Sequence, residues 1–409
     1  MAITRRIPRH ALSALLCGAF SLIAGPLAAT PSFAADPADA QNSAGISGVF
    51  DAGWSTAYYP QDSITHMHQR LHALGMDEIV LQYAAVEATH LYYPSELDFL
   101  QNTQYRNNEL FPKSIEAAKT AGTKIWLGLY YNGENWYTPP TAEQLDTLSA
   151  RNLKVLEEIH TLYGSETVVE GVYIPQEIAR YYWDSLRDDA TPEILTEHFL
   201  KPITDAAQAK GWKVMAAPFY NQNLETPEKL QAFFERLFAA GFKPDIIAVQ
   251  DGVGASDAGK HHAETSNVAQ YERAVAKACT QYGIDFWVDM ELFRTDDSHA
   301  LADSARISAQ LDSAYAAGAV KVIGYDLAVL GNAGLDSLEK WKLESSVEPA
   351  LPDSTTGIAT PRETHRASHA RNEKSQKREL FLNGRLQNSR SLNENSQYFK
   401  ANGAKVEQN

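Results

Sequence analysis

Two glutamates stand at the ends of apolar segments that are typical of buried strands. Glu177 follows the segment 171–176, and Glu291 follows the segment 286–290. A carboxylate rarely ends an apolar strand without a partner or a task, because burying an unpaired charge is costly. Two carboxylates at the mouths of different strands of one sheet are the groups that glycosidic-bond hydrolysis requires. The pair is therefore the first candidate for chemistry in this chain.

Hydrolysis of a glycosidic bond needs one carboxylic acid to protonate the leaving oxygen and one ionised carboxylate to attack the anomeric carbon. Glu177 is followed by Ile178, and this apolar setting suits the acid/base. Glu291 lies between Asp289 and Arg294, a charged setting that favours the ionised nucleophile. The prediction is a retaining reaction, with the two carboxyl groups about 5 Å apart. The alternative is that either glutamate is only an ion-pair partner at the edge of the sheet.

Short apolar segments alternate with amphipathic helical segments between residues 46 and 347. Eight such βα units in about 300 residues are typical of a (β/α)8 TIM barrel, so the fold class predicted is α/β. A doubly wound sheet is the alternative, but no Gly-x-Gly-x-x-Gly follows the first strand. Glycines before several strands predict left-handed helix ends. The predicted strands are 48–54, 78–83, 124–131, 171–175, 213–219, 246–250, 286–290 and 321–325, and the glycines are Gly75, Gly122, Gly211, Gly241, Gly283 and Gly318.

Polar and aromatic residues follow nearly every predicted strand, at the end of the barrel where reactive groups collect. Aromatic rings can stack on the apolar faces of sugars, and amides or carboxylates can bind sugar hydroxyls. Some of the rings could instead pack loops onto the barrel, and Asp251 could cap its loop. The predicted substrate-binding residues are Trp54, Tyr130, Asn132, Trp136, Gln176, Tyr220, Asn221, Gln250, Asp251, Asp289 and Asp326.

Four segments carry a resemblance to a known family. They are Tyr-Ile-Pro-Gln-Glu-Ile at 173–178, Ala-Pro-Phe-Tyr-Asn at 217–221, Val-Gln-Asp-Gly-Val-Gly at 249–254 and Trp-Val-Asp-Met-Glu-Leu-Phe at 287–293. On these segments the chain resembles the bacterial DUF4434 family of glycosidase-like barrels.

The order of the two glutamates is also similar to that in a clan of retaining glycoside hydrolases. This resemblance implies that Glu177, after strand four, is the acid/base and that Glu291, after strand seven, is the nucleophile. An asparagine usually precedes the acid/base in that clan, and Gln176 stands here. The departure motivates an alternative function, a non-catalytic glycan-binding barrel of a cell-envelope polysaccharide system.

The two ends of the chain differ in composition from the middle. Arg5, Arg6 and Arg9 precede an apolar stretch at 11–29, and small residues at 32–34 suit a signal peptidase. We therefore expect a signal peptide at 1–34, a linker at 35–45, the barrel at 46–347, and a periplasmic or secreted protein. Residues 348–409 are rich in Ser, Asn, Arg and Lys, which predicts a disordered tail.

Composition narrows the class of partner. The net charge of −15 argues against a nucleic acid or an anionic membrane, which require a basic surface. A carbohydrate is the expected partner. We predict that the protein uses no cofactor, has no membrane span after signal cleavage and is a monomer. After signal removal Cys279 is the one cysteine left, so no internal disulfide can form.

The histidines raise the question of a metal site. His66, His68 and His72 lie on one predicted helix, but only His68 and His72 share a face. We interpret the three residues as a solvated helix face. A metal-dependent hydrolase that uses Asp51, Asp251 and His262 is a further alternative.

Overall fold

The computed structural model describes residues 45–345, apart from 134–135, 137, 185–187, 256–262, 264 and 295–299. The predicted signal peptide at 1–34 and the predicted tail at 348–409 lie outside the described residues, so both stay predictions. Within the described part of the chain, no helix is long and apolar enough to cross a membrane.

Eight parallel strands close into a barrel, as the sequence predicts. In chain order the strands of the molecule are β1 Gly48–Asp51, β2 Glu78–Leu81, β3 Ala85–Val86, β4 His90–Leu91, β5 Tyr105–Arg106, β6 Lys124–Gly128, β7 Tyr130–Tyr131, β8 Val169–Ile174, β9 Lys213–Ala216, β10 Ile246–Gln250, β11 Asp285–Glu291 and β12 Lys321–Tyr325. The order around the barrel is β1-β12-β11-β10-β9-β8-β6-β2, and β1 also pairs with β2. All eight predicted strands are present, although β1, β2, β6 and β9 end two or three residues earlier than predicted.

A second, smaller sheet lies at the end of the barrel where the strands terminate. Its order is β5-β4-β3-β7. Strands β3, β4 and β5 belong to the connection after β2, whereas β7 follows β6. Two different loops therefore build this side sheet together.

Helices follow the barrel strands, as in a TIM barrel. Thr141 and Gln144 form a reciprocal capping box at the start of α3. Gly122 and Gly318 end their helices with φ of 85° and 98°, the left-handed conformation that the sequence predicts. The helices are α1 Gln61–Ala73, α2 Leu110–Ala121, α3 Ala142–Tyr163, α4 Arg180–Trp183, α5 Pro192–Leu195, α6 Lys201–Ala209, α7 Pro227–Ala239, α8 Thr265–Tyr282, α9 Ser304–Ala317 and α10 Leu327–Ser345, with a π-helical turn at Thr196–Leu200.

The core has two parts, one inside the barrel and one between the strands and the helices. Phe50, Trp126 and Trp287 belong to the buried cluster inside the barrel. Because side chains alternate along a strand, residues at even spacing from these also face the barrel axis. Glu291 lies four residues beyond Trp287 on β11, so its side chain points into the barrel mouth.

The structure corrects the interpretation of the histidines on α1. His68 is only 1% exposed, and its Nδ1 lies 2.9 Å from the hydroxyl of Thr123. His72 is exposed and pairs with Asp77. The interpretation as a solvated helix face is thus correct for His72 and wrong for His68. His68 lies on the side of α1 that packs onto α2 and the barrel. No cluster of His, Cys, Asp or Glu among the described residues could hold a metal ion, and His262 lies outside them.

Replacement of His68 should reveal the effect of burial on stability at acidic pH. Burial lowers the pKa of His68 from 6.5 to about 4, so the unfolded chain takes up the proton first as pH falls. Above pH 6.5 this group does not change the free energy of unfolding. Between pH 6.5 and pH 4 it should lower the free energy of unfolding by about 3 kcal/mol. In urea unfolding at pH 7 and pH 4, His68→Gln should lose correspondingly less stability than wild type. An identical pH dependence in both proteins would contradict this role for His68.

Candidate active site

Glu177 and Glu291 both lie at the mouth of the barrel. Glu177 follows β8 and Glu291 is the last residue of β11, and they are only 4% and 3% exposed. The side chain of Gln250 places Nε2 3.5 Å from Oε1 of Glu177 and 2.8 Å from the carbonyl of Ala217. Gln250 is also the register partner of Asp289, which faces the barrel axis with Glu291. Four of the predicted site residues therefore lie around this opening: Glu177, Gln250, Asp289 and Glu291.

The carboxylate of Glu291 is held by the loop that follows β10. Its Oε2 accepts a hydrogen bond of 2.6 Å from the backbone N–H of Ala255. A Cβ atom at Gly254 would lie 2.8 Å from Cβ of Glu291, so only glycine allows the loop to approach this closely. A short hydrogen bond from a backbone N–H stabilises the ionised form of a carboxylate. The local geometry thus suits Glu291 to a role as an anion.

Asp251 is hydrogen-bonded to the backbone at Glu291. Its Oδ1 accepts hydrogen bonds from the backbone N–H groups of Glu291 and Val253, at 3.2 and 3.1 Å. Its Oδ2 accepts a bond of 2.5 Å from Gln310, which also contacts the carbonyl of Glu291 at 3.2 Å. Complete burial raises the pKa of Asp251, and these donors oppose that rise. Because its oxygens are engaged inside the protein, Asp251 fits the capping alternative better than sugar binding.

The segment that carries Glu177 is fixed by two neighbouring side chains. The indole N–H of Trp136 donates to the carbonyl of Glu177 at 2.6 Å, and Nε2 of Gln176 donates to the carbonyl of Tyr130 at 3.0 Å. Trp136 and Gln176 are both buried. The amide of Gln176 thus reaches β7, where it fixes the backbone before Glu177, and the ring of Trp136 is not exposed as a stacking surface.

A buried ion pair joins the short helix α4, which follows β8, to the loop after β9. Nε of Arg180 donates to Oε2 of Glu225 at 2.9 Å, and the backbone N–H of Asn221 donates to Oε1 at 3.0 Å. Burial raises the pKa of Glu225 to about 7, and the contacts with Asn221 and Arg180 oppose the rise. The sequence gives no sign of this pair, since nothing in the spacing of two residues 45 positions apart indicates that they meet.

Gln82 and Tyr325 are two further residues at the mouth that the predicted site omits. The hydroxyl of Tyr325 donates to Oε1 of Gln82 at 3.4 Å. Each residue lies two positions after an inward-facing one, Val80 on β2 and Ile323 on β12. The alternation of side chains along the strands could therefore have identified them.

The remaining predicted residues lie in other settings. Tyr220 is buried and stacks on Tyr271 with ring centroids 4.7 Å apart. Asp326 accepts a hydrogen bond from the N–H of Val329 and so caps α10, and Oδ1 of Asn221 accepts one from the N–H of Asn223. Asn132 and Trp136 line a cavity of about 510 Å³ beside α3. The hydroxyl of Tyr130 lies near Arg151, and Trp54 is half-buried against His90.

Loss of the indole N–H of Trp136 should destabilise the segment of Glu177. In Trp136→Phe the buried carbonyl of Glu177 loses its donor, which costs about 1–3 kcal/mol beyond the loss of packing. Trp183 is the matched control, because it is buried against Trp136 and its N–H has no acceptor among the described residues. Urea unfolding should show a larger loss for Trp136→Phe than for Trp183→Phe. Equal losses would show that the hydrogen bond does not matter.

The chain matches one family model, described as a domain of unknown function, DUF4434, over residues 46–332. A comparison with curated proteins finds no match. A candidate alpha-L-fucosidase from Bacteroides thetaiotaomicron shares 18% sequence identity over 78% of this chain and 98% of its own, with a TM-score of 0.60. At that identity the likeness shows a common barrel fold.

Two mannanase structures are also similar. The endo-beta-1,4-mannanase from Thermotoga petrophila has 13% identity over 69% of this chain and 67% of its own, with a TM-score of 0.47. The endo-1,4-beta-mannanase from Rhizomucor miehei has 12% identity over 72% of this chain and 95% of its own, with the same TM-score.

Proposed function

The chain belongs to the DUF4434 family, and we propose that it is an exported glycoside hydrolase that cleaves a polysaccharide or oligosaccharide with retention of configuration. The observation that carries this proposal is the pair of buried carboxylates, Glu177 and Glu291, at the mouths of two strands of a glycosidase-like barrel. Export rests on the predicted signal peptide. N-terminal sequencing of the exported protein that finds Ala35 as the first residue would support export.

The reaction proceeds in two steps. In the first, Glu177 donates its proton to the glycosidic oxygen while a carboxylate oxygen of Glu291 attacks the anomeric carbon, so that the leaving alcohol departs and a glycosyl ester forms. In the second, Glu177 takes a proton from water, the water oxygen attacks the same carbon, and the ester bond to Glu291 breaks. Each step inverts the anomeric carbon, so the configuration is retained overall.

The contacts of the two glutamates support these separate roles. The N–H of Ala255 on Oε2 of Glu291 stabilises the negative charge that a nucleophile must carry. Glu177 has Gln250 beside its carboxyl group at the longer distance of 3.5 Å. The backbone of Glu177 is fixed by Trp136, which keeps the acid in place through both proton transfers.

Replacing each glutamate should have different effects on activity. Glu177→Ala should lose most activity on substrates with poor leaving groups, because activated aryl glycosides need little proton donation. Azide should rescue this variant and yield a glycosyl azide of retained configuration. Glu291→Ala should be nearly inactive on every substrate. Kinetics on an aryl glycoside and on the polysaccharide test this, and equal losses of Glu177→Ala on both would refute the role of Glu177.

A glycan-binding barrel without turnover is the second candidate. The amide of Gln176 is hydrogen-bonded to the carbonyl of Tyr130, and Gln176 stands where retaining enzymes of the similar clan have an asparagine. This observation favours the binding function. The discriminating variant is Glu177→Gln: loss of product with unchanged ligand affinity supports catalysis. A screen of the protein on a polysaccharide panel for new reducing ends identifies the substrate, and a panel without any product would favour the binding function.

A further inference from the structure

An exposed tyrosine stands on the edge of the side sheet. Tyr105 lies on the edge strand β5 and is 38% exposed. One face of its ring stacks on His90, with centroids 4.9 Å apart and an angle of 27° between the planes. The exposed area therefore belongs to the opposite face and to the ring edge, where Gln104 donates to the hydroxyl at 3.0 Å. This side chain offers a flat apolar surface with an amide beside it.

Two further rings pack on His90, the residue that stacks on Tyr105. His90 is buried and also stacks on Tyr92 at 5.8 Å, while the half-buried Trp54 meets His90 edge-on at 4.8 Å. Burial lowers the pKa of His90 to about 4, so its ring is uncharged at neutral pH. Trp54 and Tyr105 thus both contact the ring of His90. We name Trp54 and Tyr105 the aromatic patch.

The row of rings extends towards the barrel mouth. Trp54 lies 5.8 Å from Tyr83, and Tyr83 lies 5.4 Å from Tyr131. Tyr83 directly follows Gln82, whose side chain receives the hydroxyl of Tyr325 at the mouth. The aromatic patch and the glutamates therefore lie on the same end of the barrel.

Hydrogen bonds hold the turn between β3 and β4 of the side sheet. Glu87, in the turn between β3 and β4, has φ of 46°, which a residue other than glycine adopts only when its surroundings hold it. Its N–H donates to the carbonyl of Tyr131 at 2.8 Å, and its Oε1 accepts from the N–H of Gly133 at 2.9 Å. A surface that is ordered before binding loses less entropy when a ligand arrives.

The chemistry of the aromatic patch favours an uncharged ligand with flat apolar faces. Arg106 lies next to Tyr105, but its Nη1 donates to the carbonyls of Leu100 and Gln101 at 3.1 and 2.9 Å. The net charge of −15 also disfavours an anionic polymer. Sugar rings in a neutral glycan present such apolar faces, with hydroxyls at their edges for an amide such as that of Gln104.

We propose that the aromatic patch binds distal units of a neutral polysaccharide whose reacting bond lies between Glu177 and Glu291. This inference rests on the proposed function for the identity of the ligand. It makes the substrate a polymer long enough to occupy both places.

Affinity electrophoresis tests the aromatic patch without requiring turnover. Gels that contain galactomannan, xyloglucan or mixed-linkage β-glucan should retard the wild-type protein in at least one case. Tyr105→Ala should weaken that affinity roughly three- to tenfold, whereas Tyr105→Phe should keep it because the ring remains. Leu162→Ala is a surface control on α3, where Leu162 is 42% exposed, and should bind as wild type. Equal retardation of Tyr105→Ala and wild type, or no retardation of wild type, would overturn the proposal.

Kinetics separates this proposal from the proposed hydrolase function. On a polysaccharide that the wild type cleaves, Tyr105→Ala should lose kcat/KM by the same factor, while kcat/KM on an aryl monoglycoside stays unchanged. Equal losses on both substrates would indicate structural damage and contradict the role of the patch. A protein that is retarded through Tyr105 but cleaves nothing would refute the hydrolase and leave the patch in place.

Discussion

The closed ring of parallel-strand hydrogen bonds determines which side chains face the barrel axis. The pairing of Gln250 with Asp289 and of Glu291 with Tyr325 sets these residues around one opening. A slip of one residue in β11 would turn Glu291 outwards and bring Leu292 or Met290 to the mouth, because side chains alternate along a strand. The set of polar groups at the mouth therefore depends first on register and only then on residue type.

Around the mouth, loops are held by polar groups that are themselves buried. Asp251 and Gln310 bind the backbone at Glu291, Trp136 binds the backbone at Glu177, and Glu225 receives the guanidinium of Arg180. Leaving any such group unpaired would cost about 1–3 kcal/mol, more if it is charged. Each contact therefore stabilises one loop conformation against its alternatives. The positions of the two glutamates result from this outer layer as much as from the strands.

The sequence predicted the barrel well because its strands are fully buried and read as apolar runs separated by helix-ending glycines. It also predicted Glu177, Gln250, Asp289 and Glu291 at one opening, since strand ends in a parallel barrel share one face. It did not separate side chains that face the opening from those that turn away, such as Tyr220, Asp326 and Asp251. For Asp251 and Asp326 the alternation along the strand decides this, since each directly follows an inward-facing residue, whereas for Tyr220 it depends on the loop after β9, which local composition does not encode. His68 was misjudged for a related reason, because the packing of α1 on α2 decides which face of α1 is buried.

The side sheet has a consequence for how this family can diversify. Strands β3 and β7 come from different loops, yet they pair in register, Ala85 with Tyr130 and Val86 with Tyr131. An insertion or deletion in either loop would disturb the pairing of β3 with β7 and so the position of the other loop. The barrel strands beneath would be unaffected. Changes of length in the two loops are thus expected to arise together during evolution. Selection could then remodel this end of the molecule as one unit while Glu177 and Glu291 stay in place.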